Sequence, residues 1–282
     1  MARVPEYVIP FDRLPERFAE SVRTPPKTPA PARPAATVVL LRDADAGMEI
    51  LLMRRNRSAG FVPGAYVFPG GRVDASDASA DIVERLDGLT SDAAARRLGL
   101  PDAVPSALAY YLAAVREAFE ETGILVGHDA RGRPPPSAAE DQEVDAVRDD
   151  VMEGRLGFAE ALDRLGCRVD GDALEYLAHW ITPVVEPRRY DTRFFAAKAP
   201  PGAIALVDFR EMTDAVWLTA EHALRRHAEG TLPMVFPTIR TLEDLARYRT
   251  VAEALDDLGG RAIPAILPRL VVTPTGVGME VD

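Results

Sequence analysis

The chain has little of what would tie it to an oxidising compartment, a membrane or a nucleic acid. Its 282 residues hold one cysteine, Cys167, so an internal disulfide is excluded and a reducing compartment is expected. The thiol itself reads as a small apolar filler. No apolar run approaches the length of a membrane span, and the N-terminal stretch has no apolar leader core. The closing Glu280-Val281-Asp282 is not a peroxisomal address. The expected location is therefore cytoplasmic, with no membrane partner. Cationic residues are also scarce: 33 Lys and Arg stand against 44 Asp and Glu, a formal net charge of −11. A broad nucleic-acid surface needs a basic field, so no nucleic-acid partner is expected. A pocket with a few arginines could still hold a small anion. The histidines, His128, His179, His222 and His227, show no metal-ligand spacing with the cysteine or with one another and read as structural. Trp180 and Trp217 read as core or pocket wall rather than as base-stacking platforms.

What is present is carboxylate in an unusual place. Arg116-Glu117-Ala118-Phe119-Glu120-Glu121-Thr122-Gly123 continues the apolar helical run Leu108 to Val115. On a helix, Glu117, Glu120 and Glu121 share one face at i, i+3 and i+4, where like charges repel by a few tenths of a kcal/mol per pair. Glu120 and Glu121 also fall in the last turn, where the helix dipole disfavours anions, and Gly123 reads as the left-handed cap. Selection for stability alone would not choose this pattern. A divalent cation reverses its sign, because carboxylate oxygens are the ligands hard Mg²⁺ or Mn²⁺ prefer. The bland alternative is a solvated acidic helix end. Upstream, Phe68-Pro69-Gly70-Gly71-Arg72-Val73-Asp74 reads as a strand end running into a glycine turn. Two adjacent glycines let the backbone approach a metal or phosphate closely.

Together these segments resemble the Nudix box, G-x5-E-x7-R-E-U-x-E-E-x-G-U, with U aliphatic. Arg116, Glu117, Ala118, Glu120, Glu121, Gly123 and Ile124 fit its second half at every fixed position. The first half begins at Gly71 and places its acidic residue on Asp77 and its arginine on Arg85. Leu86 and Asp87 follow there, so the box is split, and the Arg-Glu pair arrives only at Arg116. Counted back from Arg116, the acidic position falls on Leu108. That residue is either a displaced Asp77 or missing. A split box resembles the Nudix subgroup that includes the peroxisomal coenzyme A diphosphatases. Leu51-Leu52-Met53-Arg54-Arg55-Asn56-Arg57-Ser58, followed by Gly60 to Gly71, is similar to the signature that precedes the box in coenzyme A-cleaving members, with Asn56 in place of its serine. His179 to Pro183 and Arg188 to Phe195 also look like this subgroup.

The resemblance implies an α/β fold, a mixed sheet in an α/β/α sandwich with helical insertions. It implies Mg²⁺ or Mn²⁺ as cofactor, with Glu120, Glu121 and the Gly71 carbonyl as ligands and Glu117 as a further ligand or the general base. Arg116 would orient the glutamates rather than touch substrate. Glu211 is a second candidate base, against the alternative of a loop carboxylate in water. For substrate, Phe68, Gly70 and the guanidinium forks of Arg54, Arg55 and Arg57 are the candidates. Strand alternation would put Arg55 and Arg57 on one side and Arg54 on the other. Arg188, Arg189 and Arg193 raise the same possibility. For each arginine a solvated surface position is the alternative.

Along the chain, 1–34 reads as a proline-rich arm, extended and polyproline-like between Pro25 and Pro34. Residues 35–282 read as a single domain with helical insertions at about 75–105 and 130–172. Thr37 to Leu41 and Glu49 to Arg54 read as strands joined through Asp43 to Gly47. Tyr66 to Phe68, Trp180 to Val185, Arg193 to Ala197 and Ala215 to Leu218 complete the strand expectations. Helices are expected over Asp81 to Leu86, Asp92 to Leu98 (stopped by Gly99 and Pro101), 106–122, within 138–166, from a Thr219 cap, and over Thr241 to Leu258.

The resemblance thus implies metal-assisted hydrolysis of a small-molecule diphosphate, coenzyme A or acyl-coenzyme A, to 3′,5′-ADP and a 4′-phosphopantetheine derivative. The alternatives are ADP-ribose, NADH or a nucleotide sugar as substrate, and a non-catalytic nucleotide-binding module on the same fold.

Overall fold

The computed structural model describes residues 7–58, 62–100 and 106–281. Gly60 and Phe61 of the pre-box signature, and Pro101, lie outside the described residues. The N-terminal half contains β1 (Tyr7–Pro10), α1 (Phe18–Arg23), β2 (Ala32–Ala44), β3 (Gly47–Arg55), β4 (Tyr66–Val67), β5 (Gly70–Arg72), α2 (Ala80–Val83), β6 (Leu86–Asp87), α3 (Ser91–Leu98), α4 (Ala107–Thr122) and β7 (Gly127–Asp129). It continues with α5 (Gln142–Met152), α6 (Phe158–Arg164), β8 (Cys167–Asp170), β9 (Glu175–Ile181), β10 (Arg189–Lys198), β11 (Met212–Thr219) and α7 (Ala220–Ala228). The chain closes with α8 (Phe236–Leu245), α9 (Val251–Leu258), β12 (Ala265–Ile266), β13 (Arg269–Val272) and β14 (Gly276–Glu280).

The spine is the parallel pair β2 and β10, running from Ala32 opposite Arg189 to Leu41 opposite Lys198. A parallel pair is covered on both faces, so β2 is apolar without a break from Val38 to Leu41. The central sheet follows the order β11-β3-β2-β10-β9-β12, with β4 paired to β3 and β5 to β2. Successive residues point to opposite cores. Val38, Leu40, Leu51, Met53 and Phe195 pack against Tyr111, Leu112, Val115 and Phe119 of α4. Val39, Leu41, Ile50, Leu52 and Phe194 pack against α8 and α9 through Phe236, Ile239, Leu242, Val251 and Leu258. Helices thus cover both faces of a mixed sheet, the α/β/α sandwich expected. Helix α4 is buried nearly all round because α3 and α5 cover the side that faces away from the sheet, and its sequence is apolar all round for that reason.

Several local expectations differ from what is observed. The stretch read as one helix, Thr241 to Leu258, is two: α8 ends at Leu245, and Thr250 starts α9, its side chain accepting from the Glu253 amide while the Glu253 carboxylate accepts from the Thr250 amide. That reciprocal box was legible as Thr-x-x-Glu. The helical stretch within 138–166 likewise divides into α5 and α6. Asp81 to Leu86 is helical only through Val83, and Leu86 joins β6, which pairs with β8. Within the arm, residues 7–23 are not extended throughout. Tyr7–Pro10 is an edge strand on β14, where a terminal proline is tolerated, and α1 follows. The strands β12 to β14 were not anticipated. Thr219 caps α7 by accepting from the His222 amide, as expected. The Asp43 to Gly47 connection is a tight turn, with Ala44 paired to Gly47. Cys167 is buried, as a filler would be.

Candidate active site

The C-terminal end of α4 meets the β4–β5 glycine turn at the sheet edge, and the two build the site between them. At Gly71 a Cβ would stand 2.4 Å from the Glu117 carboxyl carbon, and at Gly70 it would stand 2.5 Å from the Ala36 carbonyl oxygen. Only glycine permits both approaches. The Gly70 amide donates to Glu121 Oε2 at 2.9 Å. On the next turn of the helix, Arg116 lies flat among its partners. It donates from Nε and Nη2 to both oxygens of Asp77, from Nη2 to the Arg72 carbonyl, and from Nη1 to Glu117 at 3.0 Å and Glu120 at 3.1 Å. Asp77, on a 3-10 turn just after β5, is 2% exposed. Of the two positions the sequence left open, Asp77 is the one that pairs with Arg116, and Leu108 is an apolar core residue.

Negative charge exceeds the positive charge available to it. Burial pushes the Glu117 carboxyl up to about 7, helped by Glu120 and opposed by Arg116. Burial also raises Glu120, against the same guanidinium. Glu121 is raised well above the ordinary carboxylate range, first by burial and then by Glu117, against the Gly70 amide and Arg55. Desolvation with like-charge repulsion is the arrangement that marks functional carboxylates.

These groups open into a cavity of about 830 Å³, lined at this end by Arg55, Phe68, Gly70, Gly71, Glu117, Glu120, Glu121 and Glu211. Arg55 brings a buried Nε without a hydrogen-bond partner. Glu211 is held at the wall by backbone bonds: its carbonyl accepts from the Asn56 amide, and Asp208 Oδ1 accepts from the amides of Arg210, Glu211 and Met212. Asn56 thus ties the pre-box signature to the Glu211 segment, and its side chain also donates to the Arg210 carbonyl. Phe68 is buried, edge-on to Phe194. The other arginines are placed elsewhere. Arg54 lies on the opposite face over the Tyr66 ring, and among the described residues neither it nor Arg57 lines the cavity. Arg189 donates to the Thr182 and Ala30 carbonyls. Arg193 is buried on Asp191, which also holds His179.

One supporting residue was not singled out in the sequence. Arg148 of α5 is 3% exposed and donates to the carbonyls of Glu120 and Glu121, the last turn of α4. The signal was an arginine inside the apolar stripe Val144, Val147, Val151. A cation at a helix C-terminus offsets the dipole, and here it also holds the segment that carries the glutamates.

The geometry has counterparts. A family model described as the NUDT19 Nudix domain matches residues 22–245. The chain belongs to this Nudix family. The acyl-coenzyme A diphosphatase NUDT19 of Gallus gallus is 30% identical over 261 residues, covering 80% of this chain and 68% of the relative. The protein of the same name from Xenopus laevis is 26% identical over 233 residues, covering 73% of this chain and 61% of the frog protein, so part of that relative's length has no counterpart here. The crystal structure of a NUDIX hydrolase from Alicyclobacillus acidocaldarius is 29% identical, with a TM-score of 0.65, covering 83% of this chain and 99% of that one.

Nudix hydrolases generally depend on a divalent metal, and the residues present fit one. Three carboxylates, Asp77, Glu117 and Glu120, share one committed guanidinium, Glu121 lies on the Gly70 amide, and the glycine turn sits directly against the Glu117 carboxylate. Among the described residues no three acidic or imidazole groups already stand as a ligand set. The reason is visible: Glu117 and Glu120 are drawn onto Arg116 while Glu121 points to Gly70.

Proposed function

We propose that this Nudix protein hydrolyses the diphosphate of coenzyme A or an acyl-coenzyme A, giving 3′,5′-ADP and the 4′-phosphopantetheine derivative. The observation that carries the reading is the carboxylate cluster of a split box at one end of a large cavity, in a chain similar to proteins named acyl-coenzyme A diphosphatases. Glu120 and Glu121, with the Gly71 carbonyl, would hold a divalent cation, Mg²⁺ or Mn²⁺. The chemistry such a cation supplies is neutralisation of the diphosphate and a lower pKa for the attacking water. Glu117, raised to about 7, is suited to accept the proton of that water near neutral pH. Water oxygen bonds to one phosphorus, the anhydride P–O bond breaks, and the departing phosphate keeps the electron pair. Arg116 acts through others: it fixes Glu117 and Glu120 by charge-assisted hydrogen bonds. Arg55 faces the cavity and would bind a phosphate oxygen. Phe68 and Gly70 shape the wall, and Glu211 is the alternative proton acceptor.

The test is turnover of coenzyme A, acyl-coenzyme A, ADP-ribose, NADH and a nucleotide sugar side by side, with Mg²⁺ and then Mn²⁺, products identified by mass. Preferential release of 3′,5′-ADP supports the reading. Preference for another diphosphate keeps the hydrolase and overturns the substrate. No turnover of any would point to a binding module. Among the described residues no helix is long and apolar enough to cross a membrane. For location we propose the cytoplasm, on the lone buried thiol. Fractionation that found the protein in a membrane-bounded compartment would overturn this.

A further inference from the structure

The cavity has two chemically different ends. The carboxylates, Arg55 and the glycine turn make one. At the other, Tyr7 and Ile9 of β1 and Met279 of β14 stand across from Trp180, Met234 and Phe236. This second wall comes from the sheet β1-β14-β13, which lies outside residues 22–245, the span matched by the family model.

The register explains why these three side chains act together. Tyr7 and Ile9 are two apart on one strand, and Met279 is the direct partner of Tyr7 on the next. All three therefore project from the same face. That face is turned to the domain body: the Tyr7 ring stands 5.8 Å from Phe236, and Trp180 packs edge-on to Phe236 at 5.7 Å. Tyr7, Ile9 and Met279 are only partly buried: Tyr7 and Met279 pack on the core that includes α8, and all three keep a side open to the cavity. Apolar groups facing a void forfeit dispersion contacts that an apolar guest would restore. Methionines on both sides of the gap can adapt to a flexible chain.

We propose that the terminal sheet and α8 together form the acyl compartment of the site, which takes the hydrocarbon chain of an acyl-coenzyme A whose diphosphate lies at the carboxylate end. The inference rests on the coenzyme A reading above. Its consequence is a chain-length preference set by Tyr7, Ile9 and Met279, of roughly fourfold in kcat/KM per methylene buried.

The experiment compares kcat/KM of the full chain for coenzyme A, octanoyl-coenzyme A and lauroyl-coenzyme A with that of Ile9→Trp and Met279→Trp, which fill the compartment. The wild type should favour the longer chains, and each variant should cut the lauroyl-to-coenzyme A ratio at least tenfold, with the change in KM. A ratio unmoved by both variants, or a wild type indifferent to chain length, overturns the compartment while leaving the diphosphatase intact. A wild type that cleaves none of the three overturns the coenzyme A reading and the compartment with it. A second measurement does not depend on the variants folding. Acyl-pantetheines of increasing length should inhibit wild-type coenzyme A hydrolysis competitively and with falling inhibition constants, and inhibition independent of length overturns the proposal.

Discussion

Arg116 and Asp77 meet fork to fork, Nε to Oδ1 at 2.8 Å and Nη2 to Oδ2 at 3.0 Å. The pair closes a box whose halves are far apart in sequence, and the intervening segment loops out as α2, β6 and α3. Both partners are nearly solvent-free, at 8% and 2% exposed. Glu117 and Glu120 still balance the guanidinium when Asp77 is removed, but its Nε loses its acceptor. Asp77→Ala should therefore lower the unfolding free energy by about 1.5–3 kcal/mol, the contribution of hydrogen bonds to a charged group, read as an earlier urea midpoint. Asp77→Asn, which keeps the shape and one acceptor for Arg116, should lose less. An unchanged midpoint in Asp77→Ala would show that the insertion is held by its other contacts.

Gly71→Ala separates site from fold. The new methyl would stand 2.4 Å from the Glu117 carboxyl carbon, but that contact is the end of a flexible side chain. Glu117 can swing away, so the stability loss should stay near the low end of overpacking, about 1 kcal/mol. The carboxylate is then misplaced by an ångström or more, which costs on the order of 10²-fold in rate. Kinetics and a thermal melt on the same preparation check both halves. A variant that loses fold and rate together would mean that Gly71 is needed for packing.

Much of this was legible in the sequence, for identifiable reasons. The glutamate helix, its Gly123 cap and the glycine turn are local patterns whose residues need few long-range partners. The sandwich followed from the resemblance, and β2, β3 and β10 show as apolar runs. What escaped depended on distant partners. Asp77 could not be assigned because only the fold brings it beside Arg116. Arg148 drew no reading, because its role appears only when α5 is laid on the end of α4. Arg54 and Arg55 differ by one position, and pairing with β4 and β11 decides which faces the cavity. β1 and β14 are short, and neither reads as a strand without the other.

Arg148 makes the next test. Its guanidinium donates to the Glu120 and Glu121 carbonyls at 2.8 and 3.4 Å from a buried position. Arg148→Met keeps the apolar stem and removes the donors. Hydrogen bonds from a charged group contribute about 1.5–3 kcal/mol, so stability should fall by that amount. The rate should fall too, because the end of the glutamate helix frays. Hydrogen exchange at 120–123 should rise in the variant; unchanged protection there would assign Arg148 to packing alone.

The glutamates make stability and metal binding respond to pH in opposite directions. Glu117 is raised from 4.5 to about 7, so the folded protein holds this proton more tightly than the unfolded chain. The stability it contributes is complete below about 4.5 and is lost as pH rises to about 7. Glu121, also raised, acts in the same sense. The metal-free protein should therefore lose stability on these residues' account as pH rises through this window. A divalent cation on Glu120 and Glu121, both raised, needs their carboxylates deprotonated, so its binding releases protons and strengthens as pH rises. The rise in Tm caused by Mg²⁺ or Mn²⁺ should be larger at pH 8 than at pH 5.5, with little rise in Glu120→Gln combined with Glu121→Gln. An equal rise at both pH values, or one that survives the double substitution, would place the cation elsewhere. The same titration should appear in kcat/KM as a limb ascending near pH 7, displaced or lost in Glu117→Gln.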